Sequence, residues 1–128
     1  VRRCRILLVD NSPVLIRAIE VMLASIDWIR VIGSASSGGM ALEQIEQLEP
    51  DMVLLDLAMP GMDGLEVIGR LAERDRRPRV IVMTAHVDED YRRVAAAAGA
   101  DGFLIKADLW TDLLPLIDAL RPWVGGKD

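Results

Sequence analysis

Five short apolar runs, regularly spaced, restrict the fold of this chain more than any other feature. They read RILLVD (5–10), RVIGSA (30–35), DMVLLD (51–56), RVIVMT (79–84) and DGFLIK (101–106). Four of them are continuous rather than alternating, the pattern of strands buried on both faces of a parallel sheet. The second, RVIGSA, is more polar and suits a sheet edge. Longer segments of helical character separate the runs. A strict strand–helix alternation with short connections and right-handed crossovers implies an α/β, doubly wound (βα)5 fold with helices on both faces of a five-stranded parallel sheet.

The segments between the runs carry helix start and stop signals. Ser12 is placed to cap the first helix, with Pro13 at its first position, where the missing N–H is harmless. Ile16, Ile19 and Leu23 follow at helical spacing. The glycine-rich GSASSGG (33–39) reads as a loop capping the second helix. It follows the second strand and lacks the lysine of a phosphate-binding loop. Asp63 and Glu66 are spaced as a capping box, Asp88 can cap the fourth helix, and Gly99 can end it. The last helix is expected to begin after Asp112, so that Pro115 falls in its first turn at little cost.

A chain of 128 residues fits one domain, assigned to residues 1–121. Residues 122–128 form a tail that is either a linker start or a frayed terminus. With 52% hydrophobic but only 4% aromatic residues, the core is expected to be aliphatic. A net charge of −5 opposes non-specific binding of nucleic acid by this segment. The single cysteine, Cys4, cannot form an internal disulfide. The four apolar residues ahead of Asp10 are too few for a secretory signal, and no apolar run approaches the ~18 residues of a membrane span. A cytosolic domain without membrane association is the expectation.

In sheets of this kind ligands bind beyond the carboxyl ends of the strands, near the point where strand order reverses. The residues there are Asp10 and Asn11 after the first run, Asp56 after the third, Thr84 after the fourth and Lys106 after the fifth. With strand order 2-1-3-4-5, the first and third strands are neighbours, and two acids and an amide converge.

At this point the chain resembles a family, the receiver domains of bacterial two-component response regulators. The resemblance rests on LLVDNS, PDMVLLDLAMPGMDG, VIVMTA and GADGFLIK, in that order, and covers nearly the whole chain. It implies the flavodoxin-like form of the fold, with Asp56 as phosphoacceptor and a sensor histidine kinase as donor. It implies Mg2+ held by Asp10, Asn11, Asp56 and the backbone carbonyl of Ala58. Thr84 becomes the hydroxyl that follows the phosphoryl group, Lys106 the ammonium that pairs with it, and Phe103 the aromatic switch partner of Thr84. LIKAD (104–108) is similar to receivers joined to LuxR-type helix-turn-helix output domains, which places transcriptional regulation and that output domain outside this segment. The face made by the fourth helix, fifth strand and fifth helix is the implied homodimer or output surface, with Trp110 either a contact residue there or a half-buried staple.

The chemistry explains these residue types. Phosphoryl transfer brings an anionic donor to a carboxylate, so positive charge must be supplied, by a hard cation on oxygen ligands and by a lysine. The product is an acyl phosphate, which hydrolyses spontaneously. Phosphatases that use an aspartyl phosphate carry a second acid two residues beyond the first. Ala58 stands there, which argues for a self-modifying switch rather than an enzyme with rapid turnover. Asn11 keeps an oxygen but removes one negative charge, which predicts weaker Mg2+ binding. It also leaves open a pseudo-receiver, an interaction module that works without phosphorylation. A third class, a hydrolase or flavodoxin-like carrier, is opposed by the acidic VDNSP where a dinucleotide site needs glycines.

Three further positions carry two readings each. His86 is either a surface-loop residue or a tuner of the phosphorylated lifetime near its reference pKa of ~6.5. Phe103 is either ordinary core or a switch residue that, lacking a hydroxyl, is held by packing alone. The small residues of VAAAAGA (94–100) mark either a helix that shifts at modest cost or plain close packing. The bond before Ala107 is expected to be trans, since cis before a non-proline costs about 2.5–4 kcal/mol.

Overall fold

In the computed structural model, which describes residues 2–59, 63–85 and 89–121, the apolar runs become five parallel strands. These are β1 (Cys4–Val9), β2 (Ile29–Ala35), β3 (Met52–Asp56), β4 (Arg79–Thr84) and β5 (Gly102–Ile105). They form one sheet in the order β2-β1-β3-β4-β5. The predicted order and doubly wound class are therefore observed, with RVIGSA on an edge. Between the strands run α1 (Pro13–Ala24), α2 (Gly38–Leu48), α3 (Gly64–Ala72) and α4 (Glu89–Ala98), and α5 (Leu109–Leu120) closes the order.

Alternation of side chains along each strand explains the continuous runs. Ile6, Leu8, Met52, Leu54, Ile81 and Met83 point to one face and meet α1 and α5 through Ile16, Ile19, Leu113 and Ile117. Leu7, Val9, Val53, Leu55, Val80 and Val82 point to the other and meet α2, α3 and α4 through Ile45, Val67, Ile68 and Ala95. With both faces covered, the middle of each central strand is apolar. Each large aliphatic chain buried this way contributes roughly 1.5–3 kcal/mol. The β1–β2 register slips by one residue between Ile6↔Val31 and Leu7↔Gly33, leaving Ile32 as the extra residue of the edge strand.

The capping signals are largely as read. The Ser12 hydroxyl accepts from Leu15 N at 3.2 Å with Pro13 opening α1, and Ser37 caps α2 by accepting from Met40 N. Asp63 Oδ1 accepts from Glu66 N at 2.9 Å, while the Glu66 carboxylate accepts from Arg70 one turn on. Gly99, at φ +121°, ends α4 in a backbone region that side chains disfavour. Asp88, His86 and the 122–128 tail lie outside the described residues. No helix of the described residues is long and apolar enough to cross a membrane.

The expected start of the last helix is not observed. The last helix starts at Leu109, three residues before Asp112, after a 3-10 turn over Lys106–Asp108, so Pro115 sits inside it. Burial is the reason: Leu109, Leu113 and Ile117 fall one turn apart on the sheet-facing side and are all buried, and a later start would expose Leu109. Pro115 and Thr111, whose carbonyl loses its helical donor, are both exposed, so the lost bond lies at the solvent-facing side of the helix. The peptide before Ala107 is trans, as expected.

Candidate functional site

Each polar residue at the carboxyl end of the sheet is held by the backbone that ends its strand. Asp10 lies one residue past β1, where its N–H donates to Ala35 O at 3.1 Å and its Oδ1 accepts from Ser12 N at 2.9 Å. The bond that turns the chain into α1 thus also aims this carboxylate. Asp56 closes β3, opposite Met83 of β4, and its Oδ1 accepts from Ala58 N at 3.1 Å. Thr84 closes β4, opposite Ile105. Lys106 follows β5 at the start of the 3-10 turn.

Three of these residues, Asp10, Asp56 and Lys106, are in direct contact. Lys106 Nζ donates to Asp10 Oδ2 at 2.7 Å and lies 3.4 Å from Asp56 Oδ2, so one ammonium bridges two carboxylates from neighbouring strands. Asp10, Asp56 and Thr84 are the buried polar side chains of the described residues, at 2%, 4% and 3% exposure. Burial pushes the Asp56 carboxyl above its usual range, and the adjacent Asp10 pushes it further. Lys106 and the Ala58 N–H pull the other way. Asn11 is exposed beside this group, and Ala58 is exposed on its open side.

The donor set fits a hard divalent cation. Two buried carboxylates against one ammonium leave surplus negative charge, and Asp56 is destabilised as an anion by the neighbouring acid. The adjoining residues Asn11 and Ala58 are exposed and can add only oxygen donors of the same hard kind, an amide and a backbone carbonyl. A soft or nitrogen-preferring metal has nothing to hold at this site among the described residues.

Three neighbours of the site were not evident from sequence. Met59, Leu65 and Tyr91 join Ala58, Asp63 and Thr84 around an open depression of about 470 Å³ beside Asp56. Their positions depend on how α3 and α4 dock, which no local pattern encodes. Phe103 is half-buried on β5, and the Arg92 guanidinium of α4 stands 5.8 Å from its ring centre. The ring is therefore held by a cation–π contact as well as by packing, contrary to the expectation of packing alone. Within α4, Ala95 is buried while Val94 is 51% exposed. Trp110 is 54% exposed, which leaves about half of its surface open to a contact.

A five-stranded 2-1-3-4-5 sheet with an acid–acid–lysine cluster at its carboxyl end defines a receiver-type α/β domain. The family model for the response regulator receiver domain matches residues 6–117, and the chain belongs to that family. It is similar to the nitrate/nitrite response regulator protein NarL of Escherichia coli strain K12, 39% identical over 109 residues, or 85% of this chain and 50% of that protein. It is also similar to the DNA-binding transcriptional activator EvgA of the same organism, 31% identical over 115 residues, or 90% of this chain and 56% of that one. The chain spans about half the length of these relatives. Among solved structures, a LuxR-family two-component response regulator from Aurantimonas superposes with a TM-score of 0.86 at 27% identity, over 91% of this chain and 84% of that one.

Proposed function

We propose that this receiver domain accepts a phosphoryl group on Asp56 from the phosphohistidine of a sensor kinase, with Mg2+, and that the modification changes the face made by α4, β5 and α5. The observation that carries the reading is the shared ammonium of Lys106, 2.7 Å from Asp10 and 3.4 Å from Asp56. A carboxylate oxygen of Asp56 attacks phosphorus, the P–N bond to the donor imidazole breaks, and the electron pair leaves with the imidazole nitrogen, which takes up a proton from solvent. Asp10, Asn11, Asp56 and the Ala58 carbonyl would hold Mg2+, which when bound would supply positive charge for the transfer. Lys106 brings a second positive charge through the chain itself and follows the new phosphoryl group. The Ala58 N–H fixes the Asp56 carboxylate plane. Hydrolysis of the acyl phosphate returns Asp56, so the mark is temporary.

The Thr84 hydroxyl turns toward the phosphoryl group, and Phe103, on the adjacent strand, repacks in response. Tyr91, Val94 and Trp110 are exposed large side chains of α4 and α5, consistent with a homodimer or output contact on that face. Similarity to EvgA and to a LuxR-family regulator supports a helix-turn-helix output domain in the whole protein, and with it transcriptional control in the cytoplasm. No turnover of an external substrate is assigned.

Intact mass after incubation with acetyl phosphate and Mg2+ tests the reading, with Asp56→Asn as the control. One added phosphoryl group in the native chain alone supports it. No gain in either folded protein, with or without the kinase, would leave the domain a phosphorylation-independent interaction module.

A further inference from the structure

The amino end of the sheet carries a different chemistry, which the phosphorylation site does not use. Five arginines, Arg2, Arg3, Arg5, Arg30 and Arg76, line an open pocket of about 700 Å³ there, against the two acids Glu49 and Asp51. In a chain of net charge −5 this is a local excess of three positive charges. The arginines come from three separate elements: the start of β1, the edge strand β2 and the connection from α3 to β4.

Two of the five are committed to the fold. Arg5 donates to the carbonyls of Leu48 and Glu49 at 2.7 and 2.8 Å, satisfying the last turn of α2, and Arg2 pairs with Asp51 at 3.4 Å. Asp51 is also occupied by Arg5 N at 2.9 Å. Arg3, Arg30 and Arg76 are exposed and have no carboxylate within ion-pair distance among the described residues. Arg5 and Arg30 are register partners across the parallel β1–β2 pair, so both side chains leave the same face, an arrangement that repels. An anion between them would turn that repulsion into attraction.

We infer that this pocket binds a compact, multiply charged phosphate compound. The guanidinium fork matches two phosphate oxygens at once, and three unpaired forks from different elements fit several phosphate groups better than a single carboxylate. No aromatic side chain lines the pocket among the described residues, so recognition is of the phosphates and not of stacked bases. Because the pocket is at the opposite end of the sheet from Asp56, the inference stands independently of the phosphorylation chemistry.

Isothermal titration of the unphosphorylated chain with inorganic tripolyphosphate, in Mg2+-free buffer at about 20 mM NaCl, tests it. The expected result is one tripolyphosphate per chain, an affinity that falls with added salt, and about tenfold weaker binding in the Arg30→Ala/Arg76→Ala double variant. That variant removes only exposed, unpaired groups, so it should keep its melting temperature and its acetyl phosphate labelling. Absence of binding, or equal affinity in the folded double variant, overturns the inference. Tighter binding of a short DNA duplex through the same two arginines overturns it in favour of a nucleic-acid backbone contact.

Discussion

The two ends of this sheet carry opposite charges under opposite conditions. At the carboxyl end two acids and a lysine are drawn together with little access to water. At the amino end arginines and acids spread over a more open surface, where Arg74 reaches the exposed Glu46 at 2.7 Å. Exposed pairs of that kind contribute roughly 0–1 kcal/mol each, because water screens them and the side chains lose freedom. The buried cluster interacts far more strongly within itself and has more to lose when its cation is removed. Charge at one end is thus buried and interlocked, and at the other it lies open to solvent.

The strongest way to break that contrast is Lys106→Met. It leaves Asp10 and Asp56 facing each other without a cation, and should cost about 3 kcal/mol of stability in urea unfolding at pH 7, toward the lower end for a buried pair because Lys106 is partly exposed. Millimolar Mg2+ should then raise Tm more in the variant than in the native chain. A loss below about 0.5 kcal/mol would mean that the two ends differ less than their burial indicates.

Asn11→Asp sharpens the comparison from the other direction by adding charge to the acidic end. Mg2+ should bind roughly tenfold more tightly by calorimetry, a small part of the ~4 kcal/mol that a bare charge pair at 4 Å has at a dielectric of 20, since repulsion among three carboxylates offsets most of it. Equal affinity in the two forms would remove Asn11 as a determinant of metal binding.

Asp56→Asn should raise Tm by a few degrees at pH 7 in the absence of Mg2+. Burial and Asp10 raise the folded-state pKa of Asp56 above its unfolded value, near 3.9. Below that unfolded value the carboxyl is protonated in both states and costs nothing. The cost of ionising it grows as pH rises toward the folded-state pKa and is complete above it. The advantage of the asparagine should therefore shrink as pH falls toward 4, and an advantage independent of pH would rule out ionisation of the buried carboxyl as its cause.

The smallest effects belong to the amino end. Arg74→Ala should change stability by less than about 0.5 kcal/mol, and Arg30→Ala should leave it unchanged or raise it by a few tenths, since it relieves repulsion with Arg5. Urea midpoints measured side by side with Lys106→Met would place all three on one scale.

What was legible in the sequence follows the range of the interactions. The strands, their order, Ser12 with Pro13 and the gathering of Asp10, Asp56, Thr84 and Lys106 depend on patterns within a few residues or on the geometry common to doubly wound sheets. The start of α5 did not, because burial of Leu109 against the sheet outweighed a local proline signal. The grip of Arg5 on the end of α2 spans more than forty residues, and its alignment with Arg30 depends on a β1–β2 register that slips at Ile32. Arg92 over Phe103 likewise requires the docking of α4 on β5, which apolar periodicity leaves undetermined.

Gly64 follows from the same close packing. A Cβ on this residue would lie 2.7 Å from the carbonyl oxygen of Asp56 and 2.8 Å from Leu57 Cα, while Gly64 N donates to Leu57 O at 3.0 Å. The first turn of α3 is thus fastened directly to the backbone that carries Asp56, the proposed phosphoacceptor, with no side chain between them. A movement of α3 as small as the thickness of one methyl group would be felt at the carboxylate without passing through any switch residue. Whatever presses on this helix from outside has a mechanical line to the chemistry.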